Sequence, residues 1–327
     1  MGKIRRLNFF DKKALCEIAK NMDNTSDFRY PFIKTPMSVL QSVLPLKMRR
    51  LPEAFVYIGN SRLQGMISLS TTRGNFEVLN ITHLLFGHED YLTGKKLVKF
   101  AIKHLGEVGA KTFKVVIDNN CKDLENLFIN GCGFRCGSYE NLWNITHEIA
   151  FFNNYEKYDF KALDDGHAQS VSELYNSEII PYYRPALEHL AEEFKDSVLK
   201  FNDNTRENHY ILFENRKRKK VIAYLTIQTM DNQNFIITPI KISGYELDYN
   251  SIIAFATQTI KRYRNSDFHA YVKQNKSLKF AQEFEDYLHE RKYECVQTQH
   301  ILIKDFYQQI KQPFQGFVFG ENKLYSN

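Results

Sequence analysis

Glycine and proline are scarce in this chain, at 15 and 8 of 327 residues. Collagen-like and low-complexity proteins are rich in both, so the composition excludes those classes. The sequence also lacks any apolar run near the roughly 20 residues that cross a bilayer. The opening stretch MGKIRRLNFFDKK has no signal-peptide core, and Arg6 breaks the pattern for N-myristoylation. We therefore expect a soluble, cytoplasmic protein without a membrane partner.

The five cysteines give no disulfide framework, because their number is odd and their spacing is irregular. A reducing compartment is the simpler interpretation. Cys132 and Cys136 lie close in sequence but lack the second pair that a structural zinc site needs. We therefore expect no metal.

Basic residues exceed acidic ones only slightly, 44 against 38, for a net charge of +6. Such an excess suits an anionic small ligand or an acidic partner. The densest basic run, NRKRKK at 215–220, lies between two strand-like segments and has no aromatic residues beside it for stacking bases. We interpret it as a solvated hairpin tip and do not expect nucleic acid as a partner.

What the chain has in quantity is aromatic residues, 26 Phe and 19 Tyr, enough to fill packed cores. In the first half, alternating apolar patterns predict strands at KIRRLNFF, AFVYIG, LQGMISLSTT, FEVLNITHLLF, TFKVVID and FRCGSYENLWNITHEI. Asp11 is predicted to cap a helix that runs to about Asn21, and a second helix follows Pro36. The first half is therefore mixed α and β.

The second half repeats this order, with strands predicted at YDFKALDD, HYILFEN, KVIAYLTIQT, FIITPIKI, FHAYVK and ECVQTQHILIKDF. The segment SEIIPYYRPALEHLAEEFKD is predicted to be helical but interrupted by its prolines. Asp11 aligns with Asp165 and Phe134 with Tyr293, which are offsets of 154 and 159 residues. We interpret the chain as a tandem duplication with domains at 1–152 and 153–327.

The stretch HEDYLTGKKLVKFAIKHL, at 88–105, follows the long strand of the first half. Backbone N–H groups at a helix start are unpaired and favour anions, and Gly94 would let a ligand approach the backbone. Lys95 and Lys96 add positive charge. The same stretch could equally be an ordinary strand-to-helix turn.

The order of elements around this stretch resembles the GNAT superfamily of N-acetyltransferases. That family has a loop of the form [QR]-x-x-G-x-[GA] at the corresponding place, and Gly94 matches its last position, whereas Glu89 and Leu92 depart from it. The segment LVKFAIKHLGEVG fits the family's helix without a gap, and GAKTFKVVIDNN fits the strand after it. The resemblance implies an α/β fold of two tandem GNAT-like acyl-CoA N-acyltransferase domains, each a mostly antiparallel mixed sheet flanked by helices.

The resemblance also implies acetyl-CoA as a co-substrate, bound between parted fourth and fifth strands. By position, the backbone of Leu84, Leu85 and Phe86 would face the pantetheine, and the N–H groups from Leu92 to Lys95 would hold the diphosphate. The other positions that the resemblance assigns to the cofactor site are Thr93, Gly94, Asn120 and Phe128. In the second half, SGYELDYN lacks the glycine pattern, which implies a degenerate cofactor loop there.

Transfer to an amine requires a base for the amine's proton. The resemblance points to Glu77 as this base, and His83, six residues on, would share its face on a regular strand. Phe128 replaces the family's tyrosine, so Tyr139 is a candidate proton donor for the departing thiolate. Cys121 is interpreted as a packed thiol rather than as an acyl carrier.

The acceptor would be a primary amine, either a small molecule or a protein, and the segment from Asn24 to Pro36 is expected to lie on its side. The missing tyrosine and the altered loop leave an alternative open, in which the protein is a non-catalytic CoA-binding or regulatory member of the fold. The sequence does not specify the oligomeric state.

Overall fold

The computed structural model describes residues 2–11, 13–15, 17, 53–72, 75–87, 90–155, 158–195, 206–215, 220–263 and 267–307. Within these ranges twelve strands form one continuous sheet. The strands are β1 (Lys3–Arg6), β2 (Glu53–Gly59), β3 (Arg62–Thr72), β4 (Asn75–Phe86), β5 (Thr112–Asp118), β6 (Arg135–Asn144), β7 (Lys161–Ala162), β8 (Arg206–Phe213), β9 (Val221–Thr229), β10 (Asn234–Lys241), β11 (His269–Asn275) and β12 (Glu294–Asp305).

The helices of the described ranges connect these strands. They are α1 (Tyr91–Gly106), α2 (Lys122–Asn126), α3 (Ala168–Glu178), α4 (Arg184–Leu187), α5 (Tyr249–Tyr263) and α6 (Ala281–Glu290), with a 3-10 turn at Ala191–Phe194 and a π-helical turn at Leu127–Gly131. None of them is long and apolar enough to cross a membrane. Residues 13–15 and 17 are helical, whereas the rest of the predicted helix to Asn21 and the helix after Pro36 lie outside the described residues.

The two halves of the sheet repeat one topology. Strands β2, β3 and β4 are antiparallel neighbours, and β4 runs parallel to β5. Strands β8, β9 and β10 are likewise antiparallel, and β10 runs parallel to β11. The expected mixed, mostly antiparallel sheet flanked by helices is confirmed. The predicted boundary at 152/153 remains a prediction.

The centre of the sheet joins the halves by an exchange of strands. The order is β1-β2-β3-β4-β5-β12-β6-β11-β10-β9-β8-β7, so β12 pairs with β5 and β6 pairs with β11. Glu140 lies opposite Asn275, Gln299 lies opposite Asp118, and Glu140 and Gln299 lie opposite each other. A pseudo-two-fold axis therefore passes through the Glu140–Gln299 pair. Sequence patterns did not anticipate this exchange, because partner choice is not a local property.

A buried glutamine forms hydrogen bonds between β11 and β6, one of the two strand pairs that the exchange creates. The Gln274 side chain, 1 % exposed on β11, accepts hydrogen bonds from Asn141 and Trp143 of β6 and donates one to the Ala281 carbonyl at 2.8 Å. Because buried polar groups are costly unless they are satisfied, this network favours one register between the strands.

The first-half core lies between the sheet and α1. Leu97, Ala101 and Leu105, spaced four residues apart, pack on the face that carries Phe55 and Leu84. We call this helix-covered face of β2–β5 the outer face and its opposite the inner face. On the inner face, Leu15, Val56, Met66 and Leu85 form a separate small cluster.

Candidate functional site

Strands β4 and β5 form a ladder of only three pairs and then part. Val78, Leu79 and Asn80 lie opposite Thr112, Phe113 and Lys114, respectively. Strand β4 continues to Phe86 and β5 to Asp118 without further pairing between them. Leu84, Leu85 and Phe86 therefore lie along the open side of the gap.

A bulge in β4 changes which side chains face the gap from the inner side. Ser68 lies opposite His83 and Leu69 opposite Ile81, so Thr82 is the extra residue of the bulge, and its hydroxyl donates to the Ser68 carbonyl at 3.2 Å. Leu79 and Ile81 belong to the outer core, while His83 alternates with the outer-facing Leu84. Glu77 therefore lies on the outer side and His83 on the inner side, and the expectation that they share a face is wrong because a bulge reverses the alternation.

Glu77 lies away from the gap as well. It precedes the first pair of the ladder, is half exposed, and forms an ion pair with Lys111 at 2.7 Å. His83 lies beyond the last pair, with Nδ1 3.1 Å from the Thr82 hydroxyl. Of these two candidate bases, the structure brings only His83 to the gap.

The start of α1 is capped by the chain itself. The Asp90 carboxylate accepts a hydrogen bond from the Thr93 N–H at 3.1 Å, and the Asp90 carbonyl accepts one from the Gly94 N–H at 3.4 Å. Thr93 is 2 % exposed, whereas Leu92 is 61 % exposed. An aspartate N-cap stabilises the helix and places negative charge where a diphosphate would bind. Sequence analysis missed this residue, although an aspartate before a helix is a recognised start signal.

Gly94 faces a side chain rather than open space. A Cβ atom built on Gly94 would lie 2.9 Å from the Phe86 ring and 3.2 Å from Leu127. The Phe86 ring also lies 5.7 Å from the ring of Tyr91. In this conformation Phe86 therefore fills the corridor between the first turn of α1 and the turn after α2.

The two lysines after Gly94 point in different directions. Lys96 donates to the Tyr57 hydroxyl at 3.3 Å and lies over the Tyr57 ring, away from the helix start. Lys95 lies near the thiol of Cys132, together with Lys99 and Lys304. Burial raises the pKa of that thiol to about 11, and the positive charges of the three lysines partly oppose this rise. Lys95, Lys99 and Lys304 thus lie around Cys132, the residue after the π-helical turn beside the corridor, and we call them the basic rim.

Phe128 and Asn120 occupy the segment after β5. Phe128 is fully buried, and its ring packs edge-on against Phe134 at 5.1 Å. Phe128 belongs to the π-helical turn Leu127–Gly131, after which the Phe134 N–H donates to the Phe128 carbonyl at 3.0 Å. Asn120 is exposed, and its N–H donates to Asp118.

Tyr139 lies outside the gap. It is on β6, and the exchanged strand β12 separates β6 from β5. Its ring packs edge-on against His300 of β12 at 4.7 Å, and Cys136 raises the pKa of its phenol. The structure therefore does not bring Tyr139 to the same place as His83. Cys121 is half-buried, and burial raises the pKa of its thiol, which disfavours the nucleophilic thiolate.

One buried cation at the gap was missed by sequence analysis. Lys114 is 8 % exposed and belongs to the last pair before β4 and β5 part. Its flanking residues Phe113 and Val115 belong to the outer core, so Lys114 is on the inner side. The signal was present in TFKVVID, where a lysine interrupts an otherwise apolar strand.

The second half has a corresponding gap with different contents. Strands β10 and β11 pair from Asn234 to Ile237 and then separate, while β10 continues to Lys241. Lys241 is 2 % exposed, and its ammonium contacts Glu283 of α6 at 2.7 Å and the Tyr245 carbonyl at 3.2 Å. It also lies over the ring of Tyr249, the first residue of α5, at 5.1 Å. We call Lys241, Tyr249 and Glu283 the clasp.

Among the described residues, no group of three or more His, Cys, Asp or Glu side chains is arranged to hold a metal ion.

Comparison with solved structures relates this topology to known proteins. A tandem GNAT protein from the clavulanic acid biosynthesis pathway matches with a TM-score of 0.59 over 93 % of this chain and 98 % of its own, at 11 % identity. The chain has the tandem GNAT fold. A GCN5-related N-acetyltransferase from Sphaerobacter thermophilus matches with a TM-score of 0.53 over 93 % of this chain and 95 % of its own, at 12 % identity.

A third similar structure is a conserved protein of unknown function from Enterococcus faecalis V583, described as a probable N-acyltransferase. It matches with a TM-score of 0.50 over 93 % of this chain and 72 % of its own, at 8 % identity. No model of a known protein family matches the sequence, and a search of curated proteins finds no match either. The resemblance expected from the sequence is thus confirmed at the level of the fold.

Proposed function

We propose that this protein is an N-acetyltransferase that transfers an acetyl group from acetyl-CoA to a primary amine at the first-half gap. The observation that carries the proposal is the parting of β4 and β5 after three pairs within a tandem GNAT fold. The matched protein of the clavulanic acid pathway is described as a structure without AcCoA. The gap offers unpaired backbone along Leu84–Phe86 as a binding edge for an extended pantetheine.

In this proposal the cofactor enters through the corridor that Phe86 fills. The ring must move aside, and the basic rim of Lys95, Lys99 and Lys304 attracts the phosphates. The Asp90 cap opposes an anion at the helix start, so we place the diphosphate nearer the rim than the sequence suggested. The thioester then lies in the gap, near the point where the strands part.

The reaction needs an amine that has lost its proton. The amine nitrogen attacks the thioester carbonyl, the C–S bond breaks, and the thiolate leaves. His83 lies on the inner side of the gap, within reach of an amine approaching from that side, and we assign it as the proton acceptor. The structure offers no acid to the thiolate from Tyr139 or Phe128.

We further propose that one chain binds one cofactor. The clasp bridges β10, α5 and α6 at the second-half gap, where a cofactor would otherwise run. Displacing it would strip a buried ammonium of its anionic partner, which is costly. The second half then serves as a structural partner that supplies β12 to the first.

A non-catalytic CoA-binding protein is the second candidate. Two observations favour this candidate. Phe128 is buried in the core, and both Glu77 and Tyr139 lie away from the gap. Such a protein would bind acetyl-CoA at the same site as the proposed enzyme and would differ from it only in the absence of turnover.

Calorimetric titration with acetyl-CoA, followed by thiol release with a panel of amines, distinguishes these candidates. We expect binding at one site per chain and turnover that falls at least tenfold in His83→Asn while Glu77→Gln retains it. Binding without turnover on any amine would support the non-catalytic protein. Absence of binding would contradict both.

A further inference from the structure

Lys114 is the feature of the inner face that the proposed reaction does not yet use. The side chain belongs to the last pair of the β4–β5 ladder, opposite Asn80, and is 8 % exposed. On its other side Lys114 lies opposite Ile303 of β12. The register thus places Lys114 at the last pair before β4 and β5 part.

Within the described residues, the Lys114 ammonium has no hydrogen-bond or ion-pair partner. Lys241, the buried lysine of the second half, contacts both Glu283 and the Tyr245 carbonyl. Desolvation lowers the pKa of Lys114 to about 8, against the attraction of Glu193 and Glu140. A largely buried cation is unfavourable without a counter-ion, and none of the described side chains contacts Lys114 as one, so the position favours a bound anion.

Two described acidic groups act on Lys114, and both are already engaged elsewhere. Glu193, in the 3-10 turn Ala191–Phe194, accepts hydrogen bonds from Asn75 at 3.0 Å, from the Leu190 N–H at 3.1 Å, and contacts His189 at 2.7 Å. Glu140 contacts Lys273 at 3.5 Å. Both act on Lys114 only through space, and neither neutralises it by contact.

His83 and Lys114 flank the gap on the same side. His83 is on the inner side of β4, just beyond the ladder, and Lys114 is on the inner side of β5, at its last pair. The residue opposite Lys114 is Asn80, three residues before His83 on β4, so a molecule that presents its amine to His83 from this side can extend along the strand towards Lys114. The cofactor's phosphates, by contrast, lie at the outer corridor in the proposed arrangement.

We propose that Lys114 binds a carboxylate of the acceptor, so that the substrate is an amine that also carries a carboxylate, as amino acids do. The inference rests on the proposed function and names the substrate class of the same site. Lys114 would act as a specificity-determining residue, which pairs with the carboxylate through a charge-assisted hydrogen bond. Such a pair favours the substrate that carries the carboxylate, because an analogue without it gains no such bond and leaves the ammonium as it is in the free protein.

Matched amine pairs test this directly. Each L-amino acid is compared with the amine that lacks its carboxylate: L-lysine with cadaverine, L-histidine with histamine, L-tryptophan with tryptamine, and L-phenylalanine with phenethylamine. For the preferred side chain we expect the kcat/KM of the amino acid to exceed that of the amine at least tenfold. Lys114→Met should abolish this preference by raising KM for the amino acid while leaving KM for the amine within about twofold.

Two controls keep the test decisive. A far-ultraviolet circular dichroism melt reports whether Lys114→Met folds, and calorimetric titration of each pair into the acetyl-CoA-free protein measures acceptor binding independently of turnover. Turnover with equal preference for both members of every pair, unchanged in Lys114→Met, would overturn the carboxylate site while leaving the acetyltransferase intact. Absence of acetyl-CoA binding would overturn the proposed function instead.

Discussion

The two halves of this protein contain the same gap and fill it with opposite chemistry. In the first half the apolar ring of Phe86 fills the corridor, and the buried Lys114 at the ladder's end has no partner among the described residues. In the second half the buried Lys241 is held by Glu283 and the Tyr245 carbonyl. A neutral ring can be displaced by a ligand at little electrostatic cost, whereas separating a buried ammonium from its carboxylate partner is costly. The comparison teaches that a duplicated fold can keep a cleft open to ligands in one copy and close it in the other.

The largest expected effect comes from removing the unpaired cation. Lys114→Met should raise the free energy of unfolding at pH 7 by about 3 kcal/mol, since the pKa of Lys114 falls from its ordinary 10.5 to about 8 in the folded protein. Between these values the unfolded chain binds the proton and the folded chain does not, so wild-type stability rises with pH from about 8 to 10.5.

Urea denaturation at several pH values checks this prediction. The rise above pH 8 should be flatter in Lys114→Met than in the wild type. A loss of stability in Lys114→Met would show that the Lys114 ammonium makes favourable contacts in the folded protein. Lys114 and Lys241 would then both be paired cations, and the two gaps would not differ in this respect.

The packing of Phe86 against Gly94 gives the next effect. Gly94→Ala should destabilise the protein by about 2 kcal/mol, because the new methyl group overlaps the Phe86 ring. Phe86→Leu alone should also destabilise, but the double variant should recover part of the Gly94→Ala loss. A double-mutant cycle by thermal denaturation measures the coupling. Strict additivity would mean that Phe86 does not occupy the corridor in solution.

Removing a charge from the clasp should change the free energy of unfolding in the opposite direction from removing the charge of Lys114. Glu283→Gln is expected to lower the free energy of unfolding by about 1 kcal/mol, because the Lys241 ammonium loses its charged partner while the half-exposed carboxylate is easily replaced by water. Chemical denaturation beside the control Glu246→Gln, a nearby carboxylate outside the clasp, measures this. Equal stability of the two variants would show that the clasp contributes nothing.

The smallest effect concerns the helix cap. Asp90→Asn keeps a good N-cap but removes one negative charge at the start of α1. Acetyl-CoA should then bind about two- to fivefold more tightly in low salt, by calorimetry, if its phosphates lie near this end. Unchanged affinity would place the phosphates farther from the helix start.

Much of the fold could be read from local patterns. The segment LVKFAIKHLGEVG predicted α1 through its fit to the family's helix, and TFKVVID predicted β5. The bulge at Thr82 could not be predicted, because it depends on the register with β3, and it changed the face of His83. The exchange of β6 and β12 is a long-range choice between similar strands, and it moved Tyr139 away from the gap.

Hydrogen–deuterium exchange with and without saturating acetyl-CoA tests the central asymmetry most directly. We predict slower amide exchange at residues 81–86 and 90–95 of the first half and no change at residues 238–241 and 249–253 of the second. Protection of the second-half gap, or of neither, would contradict the assignment of the cofactor site to the first half.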